Sequence, residues 1–526
     1  MIFLIWGVVI FAVLWLWQRK KLAYFSERGV NHSPTLPFIG NAGKTMLALQ
    51  HMTTGLDMAY HAFPNDRFIG SYLMTSPSIF IRDPDLLRDI CIKNFDHFVD
   101  HRGFSSQSDL LFSKSLMGLK GQKWRDMRST LSPAFTGSKL RNMVPLIRDC
   151  NVDLLDYLHE QISKSSDKYL DVDTQDLLTR YATDVIATTA FGVQTNSIKH
   201  RDNEFYIMGN KLSNFKFIQI IKMIISIVCP LLGKVTTILP ADAVEFLTHI
   251  ILSTLKERDE KKIYRPDLIQ LLLEAQKGTL THEQVNDDKD AGFATAQDSS
   301  FDKTIKQVWD DDDLVAQAFL FFLAGFDTVS TATKFLLYEL ALNPDIQEKL
   351  RQEIDTQYEK VGDKIDYEQI NQLKYLDMVV SESLRKWPPA TTSDRLCVKG
   401  YNLGKPNETA PFDYNIKEND AIMFSIWSLQ RDPKYFADPE KFIPERFSDE
   451  NKHNIKPFTY IPFGIGPRNC IGSRFALVEI KIMVYGLLRR FEVSPAPTTV
   501  IPPVLDTKSF NNRLKGGHWL RFKCRT

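Results

Sequence analysis

Cysteine is scarce. The chain of 526 residues has six. They are scattered and form no CxxC pair, which excludes a disulfide framework and a zinc site and suits a reducing compartment. Neither sign of charge is in excess. Lys and Arg number 65 against 64 Asp and Glu, a net charge of +1, so nothing in the composition points to a nucleic acid partner. No internal repeat of about 20–50 residues is present, which excludes solenoids and propellers. No dinucleotide-binding glycine fingerprint occurs, so the chain has no nicotinamide or flavin domain of its own. What is there is an ordinary globular composition, 44% hydrophobic and 25% charged, in a chain long enough for a large core.

The uncharged run of residues 1–17, MIFLIWGVVIFAVLWLW, is followed by Arg19, Lys20 and Lys21. It is just long enough to cross a bilayer, which needs about 17–25 residues. Trp15 and Trp17 suit the interface, and the basic cluster leaves the rest of the chain on the cytoplasmic side. A cleaved signal would have basic residues before the run and a small-x-small site after it, and both are missing. Residues 1–21 are read as an N-terminal membrane anchor and 22–41 as a linker. The linker contains a proline-stiffened hinge, NHSPTLPFIGN, and 42–526 form the main domain. On this topology the glycosylation acceptors at Asn31 and Asn407 stay unmodified.

Short strands are expected over 67–81, around the turn Thr75-Ser76-Pro77, and Asp83-Pro84-Asp85 then opens a helix. Trp124 and Arg128, at i and i+4, share a helix face. Residues 140–275 read as mostly helical. Within them the apolar stretch 211–235 is either a buried core helix or the roof of a pocket. Residues 278–312 are polar and acidic and read as a flexible loop. The acids at 310–313 are better explained as a helix cap than as a metal site. The helix they cap, about 314–342, holds Ala324-Gly325-Phe326-Asp327-Thr328. Gly is costly in a helix and Thr328 can bond back to the Ala324 carbonyl, so a local widening or kink is expected there. Glu382 and Arg385 form an i,i+3 pair. Residues 500–523 read as a C-terminal hairpin turning near Ser509 and Phe510.

The densest chemistry lies at 463–472, Phe463-Gly464-Ile465-Gly466-Pro467-Arg468-Asn469-Cys470-Ile471-Gly472. One cysteine sits in a glycine-rich loop, two residues after an arginine and just before a helix. Loop N–H groups and the helix start favour thiolate over thiol. Such a thiolate is a good axial ligand for haem iron. The plain reading, an inert thiol, suits Cys91, Cys150, Cys229, Cys397 and Cys524.

In their order and spacing these stretches resemble the cytochrome P450 monooxygenases. The pattern Phe-x-x-Gly-x-Arg-x-Cys-x-Gly is met in full. So are Ala/Gly-Gly-x-Asp/Glu-Thr at 324–328, Glu-x-x-Arg at 382–385 and the companion motif at 444–447. The anchor, the proline segment and the phrase FFLAGFDTVSTATKFLLYELALNPDIQEKLRQEI are most similar to the insect family 9 enzymes, which are related to vertebrate family 3.

The resemblance implies the P450 fold, mainly α with small β-sheets, one β-rich part near each end of the catalytic domain. It implies haem b with Cys470 as the iron's axial ligand. Phe463, Gly464 and Gly466 shape the loop. Arg468, Trp124, Arg128 and Arg395 meet the propionates, with His101 or Arg102 as a further contact. Thr328 and Asp327 become the pair that delivers protons to O2. Glu382, Arg385 and Arg446 become a structural network. Substrate pocket candidates are Phe104, Phe112, Phe215, Phe217, Phe321, Ala324, Ala390, Thr392 and Phe510.

The implied activity inserts one oxygen atom of O2 into apolar small molecules, among them plant toxins and insecticides. Electrons come from NADPH through the NADPH–cytochrome P450 reductase, with cytochrome b5 as a second donor. Lys120, Lys123, Arg125, Lys139 and Arg141 are candidates for the docking face. The implied location is the endoplasmic reticulum membrane, in contact with lipid, with the catalytic domain on its cytoplasmic face. Two other classes stand beside this one. A thiolate-haem isomerase or dehydratase has no use for the Asp327-Thr328 pair. A non-catalytic haem sensor or lipid-binding module would show no turnover. Dependence on NADPH and reductase separates all three.

Overall fold

A computed structural model describes residues 2–36, 39–73, 76–102, 109–214, 219, 222, 237–280, 292–296 and 309–525. Helices form the frame. The longer ones are α1 (Ile2–Leu22), α2 (Met52–His61), α3 (Gly121–Leu131), α4 (Gly137–Lys164), α5 (Thr174–Ala190), α6 (Glu204–Ser213), α7 (Ala241–Lys261), α8 (Leu268–Gln276), α9 (Asp311–Leu342), α10 (Pro344–Val361), α11 (Lys374–Lys386) and α12 (Ser473–Arg490). Among the described residues of the expected helical region, sequence reading missed the strand between α4 and α5. The expectations for Phe104, Phe215 and Phe217, and for most of 211–235 and 278–312, fall outside the described residues.

α9 begins where the acidic run places it. Asp310 accepts from the Asp313 N–H at 2.7 Å, and Asp313 accepts from the Asp310 N–H at 3.2 Å. This reciprocal cap occupies two amide donors that the first turn would leave unpaired. α9 is apolar all round and mostly buried, as expected of a helix in the middle of a core. α9 has the length and composition to cross a membrane, but 67% of its apolar window is buried inside the protein. The helix stays α-helical through Gly325 and Thr328. Gly325 lets α5 approach closely, since a Cβ there would come 2.9 Å from Ile186 Cδ1.

The strands form two main sheets. One combines β1 (Phe68–Leu73), β2 (Ser76–Ile81), β4 (Thr392–Leu396) and β5 (Ala421–Ser425) in the order β1-β2-β5-β4. β2 and β5 run parallel, with Phe80 beside Met423. The other joins β3 (Tyr169–Asp173), β7 (Trp519–Cys524) and β6 (Phe491–Pro495), all antiparallel. Each sheet therefore draws on the middle of the chain as well as on one end, which corrects the expectation of one β-rich part near each end. The C-terminal hairpin is confined to 504–515, where Asp506 N–H donates to Arg513 O at 2.8 Å. Past it β7 leaves to pair with β3 and β6.

Phe25 and Val30, in the stretch read as a linker, are buried in a second core with Phe68 and Tyr72. The Asn31 and Asn407 amides both donate to Asp66, each at 2.9 Å.

Candidate active site

The loop before α12 is built by glycine geometry. Gly464 and Gly466 have φ of +80° and +71°, values that L side chains rarely adopt. A Cβ on Gly466 would stand 2.0 Å from the Cys91 carbonyl oxygen, so only hydrogen fits. The Cys470 N–H donates to the Phe463 carbonyl at 2.8 Å, closing the loop. Cys470 lies deep in the protein, yet its side chain is open, so it faces an internal space. Burial pushes its thiol up, while the Gly472 N–H and the Arg128 charge pull it down, and burial wins. The Gly472 N–H acts in the direction expected of the loop, against desolvation. The other described cysteines are also free.

Beside the loop stands a wall of cations. Trp124 and Arg128 both lie on the buried face of α3. Arg128 donates to Asn469 O at 2.9 Å and to Asn469 Oδ1 at 2.7 Å. The Arg468 guanidinium stacks over the Trp124 ring at 4.0 Å. It donates to the carbonyls of Val99, Leu116 and Leu119, and Asp100 lies 3.6 Å away. On β4, Arg395 donates to Asp394 O and to Ile465 O, but its Nε is buried without an acceptor, as is Nη1 of Arg102. His101 Nδ1 meets Asp394 Oδ1 at 2.9 Å, and burial lowers its pKa, so it donates as a neutral imidazole. Burial opposes the Asp394 charge, yet His101, the Arg102 N–H and Arg395 together hold its carboxyl below the usual range. Burial and the neighbouring Arg395 bring Arg468 down to about 9.

These residues suit a haem. Among the described residues, Arg395 Nε and Arg102 Nη1 are buried donors without an acceptor, and such a donor is costly to leave unpaired. A flat ring with two carboxylates could satisfy both. The thiol donor fits iron.

On α9, Ala324 and Thr328 are open although most of the helix around them is buried. Thr328 Oγ1 donates to Ala324 O at 2.6 Å. Asp327 Oδ2 accepts from Asn511 Nδ2 at 2.7 Å, and its Oδ1 is buried without a donor. Asn512 Nδ2 donates to Pro388 O at 3.3 Å, and Thr53 Oγ1 reaches both Asn512 and Thr391. The C-terminal turn, the bend before β4 and α9 thus meet in one region. Ala390 and Phe510 are exposed there, and the Thr392 hydroxyl is turned to the sheet, donating to Phe424 O. Phe112 is half-buried in a segment that Gln317 of α9 fastens through Lys114 O and the Leu116 N–H. Phe321 is buried edge-on to Phe135 at 5.2 Å.

Further from the loop, Arg385 makes a fully buried, two-point ion pair with Glu382 at 2.7 and 2.9 Å. Arg446 reaches Glu382 at 3.4 Å. On the surface, Arg125 pairs with Asp96 and Arg141 with Glu368, while Lys120 and Lys123 are exposed.

Sequence reasoning missed Asp394, Asn469, Asn511 and Gln317. Only Gln317 carried a local signal, a polar residue in an apolar helix.

A family model described as Cytochrome P450 matches residues 31–520. The chain is 43% identical over 518 residues to Cytochrome P450 9e2 of Blattella germanica, covering 96% of this chain and 94% of that protein. It is 37% identical to Cytochrome P450 9c1 of Drosophila melanogaster, with 98% and 97% covered. It is 35% identical to Cytochrome P450 6k1 of Blattella germanica, with 96% and 94% covered.

Proposed function

The chain belongs to the cytochrome P450 family, whose members are haem-dependent monooxygenases, and from that premise we propose that it oxidises apolar xenobiotics with electrons passed from NADPH by the NADPH–cytochrome P450 reductase. Plant toxins and insecticides are the substrate class, and cytochrome b5 is a second donor. Similarity to family 9 enzymes of insects supports this reading. The observation that carries it is the pair of buried guanidinium nitrogens without acceptors among the described residues, Arg395 Nε and Arg102 Nη1, beside a deep but open cysteine.

Haem, when bound, supplies the one-electron and dioxygen chemistry that no side chain offers. Cys470 would hold the iron, and Arg128, Arg395, Arg468, Trp124 and His101 or Arg102 would hold the propionates. Arg395 Nε and Arg102 Nη1 would gain the acceptors they lack. Ala324, exposed and having only a methyl, would leave room for dioxygen and substrate. Thr328 can exchange its bond to the Ala324 carbonyl for one to oxygen and pass on a proton. Asp327, next in the chain, returns that proton to Thr328 from solvent. Glu382, Arg385 and Arg446 hold the core and take no part in the chemistry.

α1, with Arg19, Lys20 and Lys21 in its last turn, anchors the protein in the endoplasmic reticulum membrane and leaves the catalytic part on the cytoplasmic face. The test is the spectrum of the reduced, carbon monoxide-bound protein. Wild type should give the red-shifted Soret band of thiolate-ligated haem, and Cys470→Ala should lose it. A folded, haem-loaded wild type without that band overturns the assignment. Product formation that needs neither NADPH nor reductase would favour an isomerase instead.

A further inference from the structure

One short piece of the acidic stretch 278–312 is pinned to the core. Residues 292–296 carry no charge and stand between Asp290 and Asp298. The Thr295 N–H donates to the Gly292 carbonyl at 3.2 Å, which closes a turn. The Phe293 N–H donates to Asp377 Oδ2, in the first turn of α11, at 3.0 Å. Asp377 Oδ1 lies 2.9 Å from Lys481 Nζ on α12. Lys481 is fully buried and also donates to Asn371 Oδ1 at 3.3 Å.

Gly292 is fitted to this ion pair. Its φ is +100°, and a Cβ there would stand 2.0 Å from Asp377 Oδ1 and 3.0 Å from Lys481 Nζ. The backbone at 292 therefore lies directly against the pair and shields it from water, which would weaken it. A residue with a side chain would be both strained and too large. Phe293 supplies the anchor. Its ring packs edge-on to Phe447 at 5.1 Å and tilted to Tyr460 at 5.6 Å, and those two rings meet at 4.9 Å. Rings at such distances attract beyond their buried area. Ala294, next in the chain, is buried.

Tyr460 leads into the cysteine loop. Its hydroxyl donates to Ser381 O on α11 at 2.9 Å. Residues 460–464 belong to no helix or strand. The Ile461 N–H donates to Gln430 Oε1 at 2.8 Å, and the Gly464 N–H to Ile461 O at 2.9 Å. Phe463 carries the carbonyl that the Cys470 N–H meets.

We propose that residues 292–294 are an internal docking motif. A cradle of Asp377, Lys481, Phe447 and Tyr460 binds this glycine-phenylalanine turn of the same chain, and the bound ring braces the segment that enters the cysteine loop. The brace rests on the reading of Cys470 given above, and the docking does not.

Residue-resolved hydrogen exchange on the full-length, haem-loaded protein tests the docking. In wild type the Phe293 amide should exchange about tenfold or more slowly than in the free peptide DAGFATAQ. This first result needs no variant to fold. Gly292→Ala should remove the protection. The brace is read from the persistence of the thiolate-haem band in mild urea. Phe293→Ala should start with a full band and lose it several-fold faster than wild type. Phe293→Tyr, which keeps the ring, should hold it as wild type does. An unprotected Phe293 amide in wild type overturns the docking. A protected amide, with a band in Phe293→Ala as durable as that of wild type, overturns the brace. Wild type without the band overturns the Cys470 reading and the brace with it, and the exchange result still decides the docking.

Discussion

Asn511 donates its side-chain amide to the carboxylate of Asp327 at 2.7 Å, across 184 residues of chain. The bond ties the C-terminal turn to the middle of the core helix. It also gives the proposed proton donor its one side-chain partner among the described residues.

Asn511→Ala should therefore leave the haem band intact while loosening Asp327. The bond's removal leaves a partly buried carboxylate short of a donor, a loss of about 1–3 kcal/mol. The expected readout is more hydrogen peroxide released per NADPH consumed, by several-fold, with reductase present. Unchanged peroxide release would show that Asn511 does not position the acid.

The Glu382–Arg385 pair is fully buried, and Glu382 Oε1 also accepts from the Ile443 N–H at 2.9 Å. Glu382→Ala would strand the Arg385 charge in the core. The expected destabilisation is about 3–5 kcal/mol, read as a lower urea midpoint and poor haem loading. Arg446→Lys loosens the outer, 3.4 Å contact and a bond to the Asp438 carbonyl at 2.9 Å, and should cost about 1–2 kcal/mol. Equal losses from the two variants would contradict this ranking.

The residues legible in the sequence were those whose partners are local. The acids at 310–313 cap the next turn, Thr328 bonds back four residues, and Glu382 meets Arg385 at i+3. The residues that were not legible act across long gaps: Asp394 meets His101 at a separation of 293 residues, and Lys334 meets Gln175 at 159. No period or motif encodes such pairs. At Cys470 the sequence displays the favourable loop donor but hides the burial that opposes it.

Gly466 and Gly464 offer a controlled comparison. Both have positive φ, so alanine at either should cost about 1–2 kcal/mol of backbone strain. At Gly466 the new methyl also meets the Cys91 carbonyl at 2.0 Å, whereas at Gly464 the nearest atom is 3.7 Å away. Gly466→Ala should abolish the thiolate-haem band, and Gly464→Ala should keep most of it. Similar spectra from both would mean that the loop shifts easily away from Cys91.

Lys334 gives a stability prediction with a definite sign. Its amine protonates at 10.5 in the unfolded chain and at about 7 in the folded one. Between these values the unfolded chain binds more protons, so stability rises with pH across the window, and the penalty is full below about pH 7. Lys334→Met removes the penalty but leaves Gln175 Oε1 without its donor. The gain should be about 2–4 kcal/mol near pH 6.5 and fade as pH approaches about 10. The measurement is the difference in urea midpoint between variant and wild type over that range. A constant difference across pH would mean that Lys334 enters the fold with its proton still bound.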